Sequence, residues 1–533
     1  MSASIDDFIY SARFCSLVDG ITTEHHVPGL SIAIVQGQSV FSTGYGKACL
    51  ENPTPCTADT LFDIASCAKS FTAAAVGLLV NDNDAYPEVQ WETTMSSLLP
   101  DDFVMSGVGY TEAVTLEDIL SHRSGMAAHN DSYMSHRAAT PDNARSITRN
   151  LRNLSVAAPL RTRYLYCNMM YTVASYLVEV KSQKSFADFL HDRIFQPLGM
   201  QSTSLQPKLA MIKGHGDRIA TGYYWGKDES TFHEVQSPNC EEGQGAGSIM
   251  ASANDLIRWV KALINREDPI TDRVYQGLVR GRSLKNPSAK RLKPFSSPAV
   301  YAAGLEVHYY RGHVIVGHDG SISGFTSRFF FMPDFKFGAV LLTNSSDAGS
   351  VTSILMRELM DQVLGVPEIE RPQRTFKKAI SAKSDTKPGM VRSIYQRKGV
   401  QNRSNGGKGS EKRYQGKEQP LEKSEHRDRS NRDQDTPLAT YIGDYCNPGY
   451  HTLVVEAKGN QLFVDATDRS NGFTLNFEHV SDQTKYIAHL SDMIEGGDDA
   501  VEAEFVFEHG RIVKLGLQLE PALEDLIWFE KVL

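Results

Sequence analysis

Residues 63–75 read DIASCAKSFTAAA, in which a serine and a lysine stand three positions apart at the start of an alanine-rich apolar stretch. Ser66 and Lys69 would lie on one face of a helix, because side chains at positions i and i+3 are neighbours. A lysine that is partly removed from water loses proton affinity, so its neutral amine can accept the proton of a serine hydroxyl. The stretch therefore predicts a nucleophilic serine at the start of a buried helix.

The serine–lysine spacing is a weak signal when it is taken alone. It recurs at Ser384 and Lys387, inside a charged and polar part of the chain. Ser66 differs because apolar residues surround it, among them Phe62 and Phe71. Since only a desolvated lysine can act as the base, the first copy is the catalytic candidate and the second is read as chance.

Acyl transfer also needs a second proton relay, and residues 166–168 (YCN) offer one. The triplet precedes a predicted helix in PLRTRYLYCNMMYTVASYLVE, and the phenol of Tyr166 could carry a proton. The same triplet recurs at residues 445–447, where it opens a zone of short strands. We interpret that second copy as structural.

A third candidate segment is residues 318–321 (HDGS) within VIVGHDGSISGF. Gly320 would let the backbone approach a substrate closely, and the N–H group of Ser321 could face a carbonyl oxygen. The competing triplet at residues 336–338 (KFG) lies in the second arm of a predicted hairpin and reads as strand.

Bulk properties bound the class of protein. The chain has 533 residues, of which 41% are hydrophobic, and this length and composition fit two or three folded domains. Its net charge of −9 gives no reason to expect nucleic acid as a partner. The longest apolar run, residues 71–80, is about half of what a membrane-spanning helix needs. The first twenty residues lack the pattern of a secretory signal.

Seven cysteines without CxxC spacing predict free thiols and a cytoplasmic location. No histidine motif predicts a metal, and no cofactor is expected.

The composition divides the chain into three zones. Residues 1–367 alternate apolar strands and helical stretches. Residues 368–436 are predicted to be a basic disordered linker, since positions 371–435 hold 18 Lys and Arg against 8 Asp and Glu. Residues 437–533 show short alternating strands separated by turns, which predicts a small antiparallel barrel or sandwich.

With these three triplets in this order, residues 20–360 resemble the serine β-lactamase and penicillin-binding-protein-like hydrolases, in the branch near class C β-lactamases and their esterase relatives. Supporting stretches are HVPGLSIAIV, TLEDILSHRSGM and GAGSIMASANDLIRW. The resemblance implies an α+β fold, in which an antiparallel sheet flanked by helices adjoins a helical domain. The C-terminal zone is similar to the lipocalin-like β domain that follows the catalytic domain in some relatives and packs beside or over the catalytic cleft.

The resemblance also implies roles for individual residues. Ser66 would be the nucleophile and Lys69 its base. Tyr166 would relay a proton to the leaving group, and Asn168 would hold the site through its amide. Asn130, in SGMAAHN, could line the cleft by its position, but a turn residue is the favoured interpretation.

The third motif departs from the β-lactamase pattern. His318 would replace the lysine of penicillin-processing members, and Asp319 would add an acidic group where a substrate carboxylate would lie. The loss of a fixed positive charge argues against efficient β-lactam hydrolysis. The backbone N–H groups of Ser66 and Ser321 would form the oxyanion hole, and Gly320 would let this backbone approach the substrate.

The resulting prediction is a cytoplasmic serine hydrolase or acyltransferase that forms an acyl-enzyme on Ser66. Its partner would be a small-molecule or peptide ester, thioester or amide, with no nucleic acid and no membrane span. Whether water or another acceptor releases the acyl group is left open, as is the oligomeric state. The alternatives are a D-amino-acid amidase or peptidase, and a non-catalytic scaffold that keeps the fold.

Overall fold

A computed structural model describes residues 5–371 and 434–532. The chain divides into two units, of which the first takes in Met1–Thr386 with Asp468–Ser470, and the second takes in Lys387–Thr467 with Asn471–Leu533. The predicted basic linker lies mostly outside the described residues. Of its described part, Glu368–Glu370 forms a 3₁₀ turn.

The first unit contains fourteen strands in its described residues. They are β1 (Gly29–Gln36), β2 (Ser39–Cys49), β3 (Thr54–Pro55), β4 (Phe62–Asp63), β5 (Ser204–Leu205), β6 (Gly222–Gly226), β7 (Thr231–Val235), β8 (Ile249–Ala251), β9 (Ser283–Leu284), β10 (Val300–Tyr301), β11 (Glu306–Tyr310), β12 (His313–Ile322), β13 (Phe325–Met332) and β14 (Phe337–Thr343). Nine of them form one antiparallel sheet in the order β3-β2-β1-β14-β13-β12-β11-β10-β9. The sheet joins the two ends of this part of the chain, because β1 pairs with β14 from Leu30 opposite Thr343 to Gln36 opposite Phe337.

Thirteen helices of the described residues accompany these strands. They are α1 (Ile5–Ile9), α2 (Ala12–Glu24), α3 (Lys69–Asn81), α4 (Met95–Leu98), α5 (Tyr110–Ala113), α6 (Leu116–Leu120), α7 (Ala144–Asn150), α8 (Met169–Ser182), α9 (Phe186–Leu190), α10 (Pro207–Ile212), α11 (Ala253–Asn265), α12 (Asp272–Val279) and α13 (Gly349–Val363). Among the residues that the structure covers, no helix is both long and apolar enough to cross a bilayer.

The central strand β1 reads GLSIAIVQ and is buried along nearly its whole length. Helices α2 and α13 supply Phe14 and Leu355 to a core that includes Ile32 and Ile34 of the strand. Helix α11 also packs against β1 and β14. A continuous apolar strand, rather than an alternating one, is what a sheet covered by helices on both faces requires. The predicted α+β arrangement of an antiparallel sheet flanked by helices is confirmed.

Helix α3 is buried from Lys69 to Val80, which explains its run of alanine and aliphatic residues. A 3₁₀ turn, Ala65–Ala68, precedes it and carries Ser66. Nε1 of Trp259 on α11 donates a 3.1 Å hydrogen bond to Oγ of Ser70, which fixes the first turn of α3. The nucleophile candidate therefore stands on a rigid, buried element.

The second unit contains a closed barrel of eight antiparallel strands. The strands are β15 (Gly443–Asn447), β16 (His451–Lys458), β17 (Gln461–Ala466), β18 (Phe473–Ser481), β19 (Lys485–Asp492), β20 (Gly496–Glu508), β21 (Arg511–Leu517) and β22 (Ile527–Lys531). The predicted all-β domain is confirmed as a barrel, with Gly510 in the turn between β20 and β21. The repeated YCN triplet lies in β15, where buried Tyr445 donates a 2.6 Å hydrogen bond to the carbonyl of Tyr441.

Candidate active site

Three side chains from two distant segments meet at Ser66. Oγ of Ser66 lies 3.0 Å from Nζ of Lys69. The hydroxyl of Tyr166, one hundred residues downstream, donates a 2.8 Å hydrogen bond to the same oxygen. The amine and the phenol thus each stand within direct proton-transfer distance of the serine hydroxyl.

The amine of Lys69 is completely buried. Burial lowers the pKa of Lys69 well below its usual value of 10.5. Nζ also donates a 2.8 Å hydrogen bond to the carbonyl of Ala246 and lies 4.8 Å from the ring centre of Tyr166. Since desolvation favours the uncharged amine, Lys69 can act as a base near neutral pH.

The loop that receives Lys69 lies in the stretch GAGSIM, to which the sequence analysis gave no role. Oγ1 of Thr72 donates to the carbonyl of Gly245 at 2.6 Å, beside the Lys69 bond to Ala246. Gly245 has a positive φ of 82°, and a methyl group on it would overlap the carbonyl of Tyr171. Glycine is required here because the loop and α8 approach one another by their backbones.

The turn that presents Ser66 is held by a buried carboxylate. Oδ1 of Asp63 accepts a 2.8 Å hydrogen bond from the backbone N–H of Ala65, and Oδ2 accepts one of 2.6 Å from Ser237. Ala65 has a left-handed φ of 45°, which is costly for a residue with a Cβ atom. Burial raises the pKa of Asp63. Sequence reasoning missed Asp63, because only the turn geometry shows which N–H it holds.

The HDGS segment lies near the end of β12 and packs against the same turn. Sγ of Cys67 donates to the carbonyl of His318 at 3.3 Å. A methyl group on Gly320 would overlap the carbonyl of Ile64, so only glycine allows this approach. The geometry places the backbone that leads to Ser321 next to the nucleophile turn. The predicted role of the Ser321 N–H group in an oxyanion hole stays a prediction.

His318 is buried, and both of its ring nitrogens have hydrogen-bond partners. Nδ1 lies 2.6 Å from the carbonyl of Asp319, and Nε2 lies 2.9 Å from the hydroxyl of Tyr301. Because a carbonyl only accepts, Nδ1 carries the proton and Tyr301 donates to Nε2. Burial lowers the pKa of His318 to about 4, so the imidazole is neutral near pH 7.

Asp319 does not leave an unbalanced negative charge beside His318. Its Oδ1 forms a 2.8 Å ion pair with Nε of Arg328 on β13. The segment therefore presents a neutral imidazole and an ion-paired carboxylate.

Asn168 is the residue before the first turn of α8, and its side chain contacts a second asparagine. Nδ2 of Asn168 donates a 3.3 Å hydrogen bond to Oδ1 of Asn130. Asn130 lies in a 3₁₀ turn, Asn130–Ser132, as the sequence indicated. The interpretation of Asn130 as a turn residue alone was incomplete, because the contact with Asn168 depends on a fold that the local sequence does not reveal.

These groups define the class of protein. A serine that contacts a buried amine and a phenol is the arrangement of a serine acyl hydrolase. Among the residues described, no cluster of His, Cys, Asp and Glu is arranged to hold a metal ion.

The comparison with family models agrees with the site. The Beta-lactamase family model matches residues 14–359, and the chain belongs to this family as one of its serine hydrolases. A second model, a domain of unknown function (DUF3471), matches residues 428–531, which include the barrel.

Similar proteins extend over most of the chain. An Unguisins hydrolase from Aspergillus campestris is 32% identical, with 97% of this chain and 91% of the relative covered. The octameric penicillin-binding protein homologue from Pyrococcus abyssi matches with a TM-score of 0.58 at 19% identity, covering 97% and 99% of the two chains. A D-amino acid amidase from Ochrobactrum anthropi matches with a TM-score of 0.51 at 24% identity, covering 66% of this chain and 98% of that one.

Proposed function

We propose that the protein hydrolyses an amide or ester bond of a small peptide-like substrate through an acyl-enzyme on Ser66. The observation that carries the proposal is the double contact of Ser66 Oγ, with Lys69 at 3.0 Å and Tyr166 at 2.8 Å. A scaffold needs neither contact. The similarity to an Unguisins hydrolase supports hydrolysis, and a D-aminopeptidase from Brucella ovis, 26% identical over 66% of this chain, supports a peptide-like amide substrate.

The two partners of Ser66 support the first step. The hydroxyl of Tyr166 donates to Ser66 Oγ, and Nζ of Lys69 lies 3.0 Å from the same oxygen. When Lys69 is neutral, its lone pair can accept the serine's own proton. Lys69 takes this proton as Oγ attacks the substrate carbonyl. The backbone N–H groups of Ser66 and Ser321 would bind the oxyanion, and one such donor is typically worth about 10²–10³ in rate.

The second half of the reaction assigns Tyr166 to the leaving group. Its phenol gives a proton to the departing amine or alcohol and recovers one from Lys69. Water then attacks the acyl-enzyme with the same residues acting in reverse. Asn168 and Asn130 would orient the acyl chain beside Ser66.

The third motif restricts the substrate. Near pH 7 His318 is neutral, with its nitrogens engaged by Asp319 and Tyr301. A substrate with a free carboxylate next to the scissile bond would gain no charged partner from this residue. We therefore propose acyl groups without such a carboxylate, namely esters and amides whose neighbouring carboxyl is blocked.

A hydrolysis panel tests the proposal. D- and L-amino-acid amides, blocked linear and macrocyclic peptides and p-nitrophenyl esters are incubated with the wild type, Ser66→Ala and Ser384→Ala. Turnover that Ser66→Ala abolishes and Ser384→Ala retains is expected, because Lys69 of the first Ser-x-x-Lys copy is fully buried against Ser66. No turnover of any substrate, or turnover that survives Ser66→Ala, contradicts it. Transfer to an added amine in preference to water would show an acyltransferase.

A cytoplasmic location is proposed from the thiols. Cys67 is fully buried beside the nucleophile, and its thiol donates to the carbonyl of His318. Because the site uses Cys67 as a thiol, a reducing compartment suits the protein. Cell fractionation of the tagged full chain tests this, and recovery in a secreted or vesicular fraction contradicts it.

A further inference from the structure

His122 lies in the stretch TLEDILSHRSGM, and the proposed mechanism gives it no role. It is fully buried, immediately after α6. Its backbone and side chain both contact the segment that carries Tyr166. The carbonyl oxygen of His122 accepts a 2.8 Å hydrogen bond from the N–H of Leu165. Its Nδ1 accepts one of 3.1 Å from the N–H of Cys167.

A single residue thus holds the backbone on both sides of Tyr166. The imidazole also packs against the phenol ring itself, with ring centres 4.3 Å apart and planes inclined by 35°. Two backbone bonds restrict the main chain at Tyr166, and the ring contact restricts its side chain. Together they limit where the Tyr166 hydroxyl can lie relative to Ser66.

This arrangement has two energetic costs. His122 has a left-handed φ of 57°, a conformation that favours glycine or asparagine. Its Nε2 is buried and has no hydrogen-bond partner in the part of the chain that the structure describes. Because Nδ1 accepts a bond, Nε2 carries the proton of the neutral ring, in a surrounding that includes Tyr171 and Tyr301. Burial lowers the pKa of His122 well below its usual value of 6.5, which keeps Nδ1 free of a proton and able to accept.

The neighbouring backbone extends the same contact. The N–H of Arg161 donates to the carbonyl of Arg123 at 2.8 Å, and the N–H of Ala157 donates to that of Gly125 at 2.8 Å. Residues 122–125 therefore lie alongside residues 157–167 and are joined to them by several backbone hydrogen bonds. Strain and an unpaired buried nitrogen at one position of such a contact indicate that the position is selected for geometry rather than for stability.

We propose that His122 is a positioning residue, which holds the phenol of Tyr166 on Ser66 Oγ through Leu165, Cys167 and the ring contact. The inference rests on the proposed function, in which Tyr166 protonates the leaving group. Loss of His122 should therefore affect substrates according to how much their leaving group needs a proton. An amide needs it, whereas p-nitrophenolate leaves without it.

The experiment measures kcat and KM for an amide and for the p-nitrophenyl ester of the same acyl group. His122→Phe keeps a ring but removes the hydrogen-bond acceptor. We expect kcat for the amide to fall about 10²-fold, which is the scale of general acid catalysis. The kcat for the ester should be much less affected, and KM should be unchanged. His122→Asn keeps an acceptor and tolerates the left-handed backbone, so it should retain most of the amide activity. His122→Gly relieves the backbone strain but leaves a cavity where the ring was, so its folding is checked by thermal unfolding; it should show the same selective loss as His122→Phe.

Two further variants separate the possible outcomes. Tyr166→Phe should show the full selective loss of amide turnover, and its failure to do so overturns the proposed function itself. Tyr164→Phe alters a ring that meets the edge of His122 at 5.5 Å, and should lower amide and ester turnover equally if at all. The positioning role of His122 is overturned if Tyr166→Phe lowers kcat for the amide selectively, while His122→Phe and His122→Gly lower kcat for the amide and the ester by the same factor or leave both unchanged.

Discussion

The hydroxyl of Ser327 donates a 2.6 Å hydrogen bond to the carbonyl oxygen of Ile64, which ties β13 to the turn that carries Ser66. Gly320 on β12 faces the same carbonyl, where a methyl group would overlap it. The position of the nucleophile therefore depends on how closely the sheet approaches this turn. Two parts of the chain that are distant in sequence, the turn at Ile64 and the paired strands β12 and β13, meet at one peptide group.

Gly320→Ala should displace the turn and destabilise the fold. Overpacking of a buried contact typically costs about 1–3 kcal/mol, and here the obstacles include backbone that cannot rotate away. Thermal unfolding should show a lower Tm, and kcat should fall. Gly20→Ala in helix α2 is the control, because a methyl group there meets no atom within 4 Å and should leave activity unchanged. Equal behaviour of the two variants would contradict the close contact at Gly320.

Lys69→Met should abolish most of the activity and yet stabilise the protein at neutral pH. Removal of a proton-transferring group typically costs about 10²–10⁴ in rate. Burial lowers the pKa of Lys69 in the folded protein, whereas in the unfolded chain it keeps its usual value of 10.5. Between the folded-state pKa and 10.5, the unfolded chain therefore binds more protons than the folded one. Stability of the wild type should therefore rise with pH in that window. The Tm advantage of Lys69→Met should shrink as the pH approaches 10, and an advantage that grows instead would contradict a neutral Lys69.

The charge at residue 318 should decide how the enzyme treats a substrate carboxylate. Two substrates that differ only in a free or an amidated carboxyl group next to the scissile bond are compared by kcat/KM. We expect the wild type to gain nothing from the free carboxylate, since His318 is neutral. His318→Lys should shift the ratio toward the carboxylate by about tenfold or more, the scale of a charge-assisted hydrogen bond. His318→Gln is the neutral control, and a wild-type preference for the carboxylate would contradict the account.

His489 should make the stability of the barrel depend on pH. Its ring nitrogens lie 2.6 Å from Asp498 and 3.0 Å from Glu478. The hydrogen bond with Asp498, followed by that with Glu478, raises the pKa of His489 above its usual 6.5. The stabilisation is fully present below pH 6.5 and is lost as the pH rises through the raised pKa. Thermal melts of the full chain between pH 5.5 and 8.5 should show this loss, and His489→Gln should remove it; identical pH dependence of both proteins would contradict the pairing.

The sequence predicts most of the fold because its local signals agree with one another. The alanine-rich run after Ser66 predicts buried α3, and the alternating C-terminal segments predict the barrel strands. Strands β15 and β22 close the barrel, and no local pattern contains this closure, because it depends on pairing between the two ends of the domain. The pairing of β1 with β14 is likewise a long-range register that no local pattern contains.

The sequence predicts part of the candidate site, and the residues that it does not predict escape notice for one physical reason. Ser66, Lys69 and Tyr166 stand in short motifs whose chemistry can be named from residue types. Asp63 and His122 act through hydrogen bonds to backbone N–H groups, which every residue except proline provides. Their roles therefore depend on which peptide group folds against them, and this information is absent from the local sequence.

The most direct test of the central claim is covalent labelling of the intact protein with a fluorophosphonate probe, followed by mass measurement and peptide mapping. One adduct per chain is expected, located on Ser66, with labelling that becomes much slower in Lys69→Met and Tyr166→Phe. An unlabelled protein that still hydrolyses its substrate, or an adduct at another residue such as Ser384, would contradict nucleophilic catalysis by Ser66.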